Sequence, residues 1–307
     1  MPPIRRENGA APNRVRRRSR RTSYFDTNPE EPPNMGLRVN TNLFAMTAQR
    51  NLSNVSDRLG GNFARLSSGL RIASAADDAA GLGISERMRS QIRGLAQAGR
   101  NAQDGISLAQ TAEGALNEVN NNLVRMRELA EQAANGTLST EDRAVLDTEF
   151  QALDSEINRI ATETKFNNIS LLNTTAGVGI QVGLGNTAAD KITVNTVDVT
   201  STTLGIGTLD VTNTTNAGTA LGALDTAINS VSTSRGNLGA SINRLSSSYR
   251  SIQNTREGLA AAESRIRDVD VATETSDLTR NSILQQAAVS VLSQANVQPQ
   301  LALSLIG

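Results

Sequence analysis

The sequence contains no cysteine, no histidine and no tryptophan, and aromatic residues make up only 2% of its 307 positions. Without cysteine there can be no disulfide, no thiolate nucleophile and no sulfur ligand for a metal. Without histidine the chain lacks the usual general base and the commonest metal ligand, which excludes a Ser-His-Asp triad. We therefore predict that the protein is not an enzyme and needs no cofactor. No apolar run approaches the ~18 residues that span a membrane, so we also predict no membrane insertion.

Proline and positive charge are concentrated at one end of the chain. Residues 1–34 hold six of the seven prolines, and they carry eight arginines against four acidic residues. Such a segment cannot bury enough apolar surface to offset the entropy of folding, so we predict that it is disordered. The run Arg14–Arg21 has two functional interpretations, nucleic-acid binding and a secretion signal. No apolar segment follows it, as a cleaved signal peptide would require. We favour translation from Met35 rather than Met1, with no nucleic-acid partner.

From Met35 onward, apolar residues recur at spacings of three and four, the pattern of an amphipathic helix. Five such stripes run through Val39–Leu70, Ile84–Ala133, Leu146–Ile160, Leu221–Val269 and Leu278–Ala295, and an apolar tail follows at Leu301–Ile306. Asn135-Gly136 is suited to a left-handed cap at the end of the second helix. Ser139 or Thr140 is suited to begin the third, with acidic residues in its first turn.

The period changes between the third and fourth helices. Residues 180–183 and 192–199 alternate with period two and are rich in β-branched side chains, which predicts a small β-hairpin. Residues 196–219 are mostly Thr, Ser, Asn and Gly, which predicts a surface loop. Helices with one apolar stripe must pair to bury it. The predicted fold class is therefore mainly α, an elongated antiparallel helical bundle or coiled coil with a small β-hairpin excursion.

Four stretches of sequence resemble bacterial flagellin. They are Phe63–Ile72 with Ala76–Gly81, Arg100–Ser107 with Thr111–Glu118, Val124–Ala130 with Ala134–Thr137, and Ile283–Ala287 with Ser293–Asn296. Together they cover both ends of the family pattern, roughly residues 36–173 and 222–307. The region where larger members insert outer domains is short here, so the chain resembles a minimal flagellin. The arginine-rich leader departs from the family pattern.

The resemblance implies a structural subunit that is exported unfolded by the flagellar secretion apparatus and polymerises into the extracellular filament for swimming motility. It implies a terminal coiled-coil domain (35–77 plus 266–307), a rod-like helical domain (78–175 plus 221–265) and a short β excursion with a polar loop (176–220), after the leader (1–34). The implied partners are further copies of the chain, an export chaperone at the C-terminal segment, and the filament cap and hook-junction proteins. A host Toll-like receptor that senses flagellin is the last implied partner.

Three sets of residues are candidate functional sites. The apolar stripes in 36–72 and 272–307 have few partners within one chain, which is typical of association surfaces. The candidate assembly residues are Leu43, Leu52, Leu59, Leu66, Ile283, Leu284, Val291 and Leu292. The resemblance implies receptor recognition by Arg125, Leu129, Gln132 and Glu149, with Leu129 as an apolar anchor. Hydroxyls of the polar loop are candidates for O-glycosylation, namely Thr200, Ser201, Thr202, Thr203, Thr214 and Thr215.

Three alternatives stand beside a filament subunit, and one of them is a generic intracellular rod protein. A hook–filament junction protein resembles flagellin at both ends of the chain, but the third and fourth stretches look like a filament subunit throughout. A signalling coiled coil of the chemoreceptor type is also rich in Ala, Gln and Ser. Such a protein needs a membrane anchor, and the sequence has no apolar run long enough to provide one.

Overall fold

The computed structural model describes the backbone of residues 41–304 and the side chains of residues 41–300. The predictions for the leader and for the end of the apolar tail lie outside this range. The helices are α1 (Leu43–Ser68), α2 (Ala79–Ala133), α3 (Thr140–Glu163), α4 (Ser201–Leu204), α5 (Thr214–Arg267) and α6 (Val271–Ser304). The strands are β1 (Lys165–Phe166), β2 (Ile169–Ser170), β3 (Gly177–Gln181) and β4 (Lys191–Asn195). The mainly α fold with small antiparallel β elements confirms the prediction.

The chain divides into two compact units. Unit 1 comprises the residues up to Arg58 together with those from Arg280 onward, and unit 2 comprises Leu59–Thr279. The helical part of unit 1 therefore consists of the first part of α1 and the later part of α6. Unit 2 contains α2, α3, α4, α5 and all four strands.

The core of unit 2 is a seam between α2 and α5. Buried residues on α2 follow spacings of three and four without a break from Leu95 to Ala133. Those on α5 follow spacings of three and four from Ala217 to Val231 and then recur every seven residues as far as Ile252. A seven-residue repeat of this kind keeps two helices in contact along their length. The two helices are antiparallel, because Arg127 pairs with Asp225 at one end of the seam and Arg267 pairs with Glu86 at the other.

Helix α3 packs on the same seam through Phe150 and Ile157, both fully buried. Of the two predicted N-cap residues, the structure has Ser139 in this place, and it forms a capping box with Asp142. The Ser139 hydroxyl accepts from the Asp142 amide at 3.1 Å, and the Asp142 carboxylate accepts from the Ser139 amide at 3.2 Å. The two hydrogen bonds satisfy backbone amides that the helix itself leaves without acceptors. The Ser139 hydroxyl is the largest influence lowering the pKa of Asp142.

The predicted left-handed cap at Asn135-Gly136 is wrong. Helix α2 ends at Ala133, its C-cap Ala134 has right-handed backbone angles, and Gly136 has no positive φ. Arg143 replaces the glycine cap from the next helix. Its Nε donates to the Ala133 carbonyl and its guanidinium Nη2 donates to the Asn135 carbonyl, both at 2.9 Å. A cation at a helix C-terminus satisfies the free carbonyls and opposes the negative end of the helix dipole.

The predicted hairpin is present as β3 and β4, which pair antiparallel from Gly177↔Asn195 to Gln181↔Lys191. Ile180 packs over Gly105 of α2, where a β-carbon would lie 2.9 Å from the nearest isoleucine carbon. That glycine is therefore a close-packing site within the chain. A second hairpin, β1 with β2, turns at Asn167 and Asn168, which have φ values of 45° and 65°. Asparagine tolerates this left-handed region better than most residues do.

The interpretation of residues 196–219 as a surface loop is wrong in part. Residues 201–204 form α4, and α5 begins at Thr214 rather than near Leu221. Val199, Ile206 and Val211 are buried in the core. Side chains of α3 hold this segment: Asn158 accepts from the Ser201 amide and Asp147 accepts from the Val211 amide, each at 3.0 Å. Because most residues of the segment are polar, its composition did not indicate that Val199, Ile206 and Val211 are buried.

The two connections into the long helices of unit 2 pair with each other. Leu70 forms an antiparallel bridge with Asp268, and the Val269 amide donates to the Gly69 carbonyl at 3.0 Å. Gly69 turns the chain with a φ of 71°, which explains why α1 ends at Ser68 rather than continuing to Leu70.

Nearby, the buried carboxylate of Glu274 accepts from Asn62 at 2.5 Å and from Arg65 at 2.9 Å. Unit 2 thus includes one end of α1 and one end of α6.

Candidate assembly surface

Unit 1 exposes most of its apolar side chains. Among its described residues, the buried apolar side chains are those of Ala48 and Ala295. The exposed large apolar side chains of unit 1 are Leu43, Phe44, Met46, Ile283, Leu284, Val289, Val291 and Val297, with 44–62% of their surface accessible. An apolar surface of this extent is characteristic of a site that another molecule covers.

The two helical segments of unit 1 run antiparallel. The Asn42 side chain reaches Ala295, and Gln285 donates to the Ser56 hydroxyl at 3.4 Å, so rising numbers on one segment match falling numbers on the other. A groove of about 370 Å³ lies between them, with Phe44 and Val291 among its lining residues. The buried apolar side chains of the two segments are the small ones of Ala48 and Ala295, whereas the large apolar side chains named above are exposed.

The predicted assembly residues fall into two groups. Leu43, Ile283, Leu284 and Val291 are exposed, and Leu52 and Leu292 are half-buried, all within unit 1. Leu59 and Leu66 are half-buried and belong to unit 2. The predicted assembly residues omit Phe44 and Met46, which are exposed large apolar residues of the same segment, although Met46 belongs to the first predicted apolar stripe.

The residues of the implied receptor site do not share one environment. Arg125, Gln132 and Glu149 are exposed, whereas Leu129 is 1% exposed and belongs to the core of unit 2. The expectation of Leu129 as a surface anchor therefore conflicts with its position, because its place in the three-four repeat turns it toward the seam. Arg125 Nε donates to Glu149 Oε1 at 2.9 Å, and its Nη1 donates to Glu128 at 3.0 Å. The hydrogen bond with Glu128, followed by that with Glu149, raises the pKa of Arg125.

The candidate glycosylation residues differ in access. Thr202, Thr203, Thr214 and Thr215 are exposed and Thr200 is half-buried, whereas Ser201 is 2% exposed. Asp198 accepts from the hydroxyls of Thr200 and Thr203, each at 2.8 Å. In this fold Thr202, Thr214 and Thr215 therefore offer the most accessible hydroxyls of the set.

Residues 41–304 contain no group of three acidic side chains placed to hold a metal ion. Nor do the helices in that range include one long and apolar enough to cross a bilayer.

Comparison with known proteins gives a consistent family. The model of the bacterial flagellin N-terminal helical region matches residues 39–177, and that of the C-terminal helical region matches residues 221–306. A flagellin from Halalkalibacterium halodurans is 49% identical over 269 residues, covering 87% of this chain and 99% of that protein. A flagellin from Bacillus subtilis is 43% identical over 305 residues, covering 88% and 100%. A structure described as a flagellar hook-associated protein from Vibrio parahaemolyticus has a TM-score of 0.53 at 14% identity, over 62% of this chain and all of that one.

The helical seam and the exposed apolar helix pair define a structural protein of the self-associating coiled-coil class. The chain belongs to the bacterial flagellin family and is a subunit of the flagellar filament, which is an extracellular structure. The two matched regions are separated only by residues 178–220, so this is a minimal form of the family. Likeness at 14% identity speaks to the fold alone, and nothing favours the alternative of a hook–filament junction protein.

Proposed function

We propose that unit 1 is the surface through which subunits polymerise. The observation that carries this proposal is the concentration of exposed large apolar side chains on its two short helical segments. Transfer of apolar surface out of water contributes about 25 cal/mol per Å², and the small contacts at Ala48 and Ala295 leave most of that surface unused within one chain. Filament contacts are heterologous, so one exposed face can meet a different face of the next copy without closing a ring.

A matched pair of substitutions tests this assignment. Val291→Asp places a charge on unit 1, and Val145→Asp does the same at a valine of unit 2 that is 72% exposed. Because burial of an unpaired charge is costly, Val291→Asp should abolish polymerisation of purified subunits, whereas Val145→Asp should leave it largely intact. Light scattering and electron microscopy would follow assembly. Equal loss in both variants, or assembly of Val291→Asp, would remove the assignment to unit 1.

Export in an unfolded state is the second part of the proposal. The chain has no cysteine, so no disulfide must be broken before passage, and Pro299 is the sole proline after residue 34, so slow proline isomerisation is rare. The exposed apolar residues of α6 give an export chaperone a binding surface at the C-terminal segment. The same ends of the chain would meet the filament cap and the hook-junction proteins once the subunit reaches the growing structure.

Recognition by the flagellin-sensing Toll-like receptor is proposed for the surface around Arg125. Arg125 and Glu149 lie on different helices and are joined at 2.9 Å, so the fold presents them together to solvent. Gln132 is exposed on the same helix as Arg125. Leu129 supports this surface from below as part of the core.

O-linked glycosylation is proposed at the exposed threonines Thr202, Thr214 and Thr215. A glycan there would extend into solvent, whereas one on Ser201 would have to displace the contact with α3. Intact mass of filaments released from cells would test this. A mass equal to that of the bare chain would contradict it, and peptide mapping would place any added mass.

A further inference from the structure

Pro299 lies inside α6 and removes one hydrogen bond from it. In an α-helix each N–H donates to the carbonyl four residues earlier, and proline has no N–H. The carbonyl that loses its donor is that of Ala295. Ala295 is 8% exposed, so this carbonyl lies at a buried position where a missing partner is costly.

The side chain of Asn42 supplies a replacement. Its Nδ2 donates to the Ala295 carbonyl at 2.7 Å, across 253 residues of sequence. Its Oδ1 accepts from the Ala45 amide at 3.0 Å, and its own carbonyl accepts from the Met46 amide at 3.1 Å. These last two bonds are those of a helix N-cap. Asn42 therefore caps α1 through its side-chain oxygen, and through its side-chain nitrogen it gives a carbonyl of α6 the donor that Pro299 lacks.

The orientation of this amide is determined by its two neighbours. A backbone N–H at Ala45 requires an acceptor, and a backbone carbonyl at Ala295 requires a donor. Aspartate and serine also cap helices well, but an aspartate has no donor for Ala295 and a serine is shorter. Asparagine is the residue that fits both requirements at once.

We propose that Asn42 is a positioning residue that fixes the register between the two helical segments of unit 1. The register matters because the carbonyl that Pro299 leaves free lies at one position inside α6, that of Ala295, so a shift of either segment moves Asn42 away from this acceptor. This inference rests on the proposed role of unit 1 in polymerisation. In this arrangement the missing N–H of Pro299 leaves the Ala295 carbonyl free to accept a hydrogen bond from Asn42.

Polymerisation of variants at Asn42 and Pro299 tests whether Asn42 fixes this register. Asn42→Asp keeps the cap on Ala45 and removes the donor to Ala295, so the concentration of subunit remaining at equilibrium with filaments should rise about fivefold or more. Pro299→Ala restores the N–H that α6 lacks, which makes Asn42 dispensable. In the Pro299→Ala background, Asn42→Asp should therefore raise that concentration by less than about twofold.

A matched control separates this effect from general stabilisation of α6. Ala48→Gly weakens α1 at a buried position of the same helix pair, and its defect should be as large in the Pro299→Ala background as in the natural chain. The proposal is overturned if Asn42→Asp assembles normally, if its defect persists beside Pro299→Ala, or if Pro299→Ala relieves Ala48→Gly equally.

Cross-linking distinguishes two failures: that Asn42 does not fix the register, and that unit 1 is not the assembly surface. Because the chain has no cysteine, Ser56→Cys with Gln285→Cys gives a clean pair at positions that touch in this register. A short bis-maleimide should join them within one chain in filaments, and Asn42→Asp should lower that yield until Pro299→Ala restores it. If Val291→Asp polymerises normally, the assignment of the assembly surface to unit 1 is wrong, but the cross-link yield still tests whether Asn42 fixes the register. An unchanged yield in Asn42→Asp would refute it.

Discussion

The helices of unit 1 and unit 2 carry apolar residues at the same spacing, but those side chains are mostly exposed in unit 1 and mostly buried in unit 2. On α2 and α5 of unit 2, Leu116, Leu123 and Leu224 are fully buried. On α6 within unit 1, Ile283 and Val291 are 61% and 58% exposed. A spacing of three and four shows that a helix face requires a partner, but it does not say whether the partner is in the same chain. The difference shows that the seam of unit 2 is covered within the subunit, and it supports the proposal that the exposed apolar surface of unit 1 joins subunits together.

The largest expected contrast is in hydrogen exchange. Amides in the seam of unit 2 should exchange slowly in the monomer, with protection near the full unfolding free energy, because both helices are packed along their length. Amides of unit 1 should exchange rapidly in the monomer and slowly in the filament. Mass spectrometry of both states would measure this, and strong protection of unit 1 before assembly would contradict it. A chain lacking residues 272–307 should fail to polymerise.

A leucine truncated in each unit sharpens the same comparison. Leu123→Ala removes a fully buried side chain and should lower the free energy of unfolding by about 2–5 kcal/mol. Leu284→Ala removes one that is 44% exposed and should change monomer stability by less than about 0.5 kcal/mol. Urea unfolding of the monomer, followed by circular dichroism, would compare the two. Similar losses would show that the exposed face of unit 1 already contributes to the fold of a single chain.

Arg143 tests how firmly the α2–α3 turn of unit 2 is held. Arg143→Ala leaves the Ala133 and Asn135 carbonyls without their donors and should cost about 1–3 kcal/mol. Arg143→Lys keeps the charge but lacks the planar arrangement of two donors, so it should recover less than half of the loss. Thermal and urea unfolding would measure both. A lysine variant as stable as the natural chain would show that charge alone is enough.

Much of this architecture could be predicted from the sequence, and the failures have physical causes. The repeat predicts the long helices because each stripe lies on one helix face, and Ser139 with Asp142 is a local signal within four residues. The cap by Arg143 was missed because it depends on a side chain from the next helix, whereas Asn135-Gly136 offered a plausible local alternative. The surface loop predicted for residues 196–219 is wrong in part because polar residues surround the buried Val199, Ile206 and Val211.

Within the candidate sites, the sequence could indicate which faces are apolar but not which of them stay exposed. Leu129 and Leu284 both lie in a helical apolar pattern, yet one is in the core and the other faces solvent. Their difference arises from which helices meet in three dimensions. The bond from Asn42 to Ala295 was also beyond a local pattern, since the missing N–H of Pro299 and its replacement are separated by almost the whole chain.

The smallest expected effect on the fold is at Arg125, and it separates stability from recognition. Arg125 and Glu149 are 49% and 47% exposed, and exposed ion pairs contribute little to stability. Arg125→Ala should therefore leave the unfolding transition almost unchanged. If this surface is read by the receptor, the same variant should weaken activation of reporter cells about tenfold or more, because a guanidinium held by two carboxylates is already oriented for contact. Arg159→Ala is the matched control, since Arg159 pairs with Glu156 on the exposed side of α3. Full activity of Arg125→Ala, equal loss in Arg159→Ala, or an inert natural monomer would each refute the receptor assignment while leaving the filament role intact.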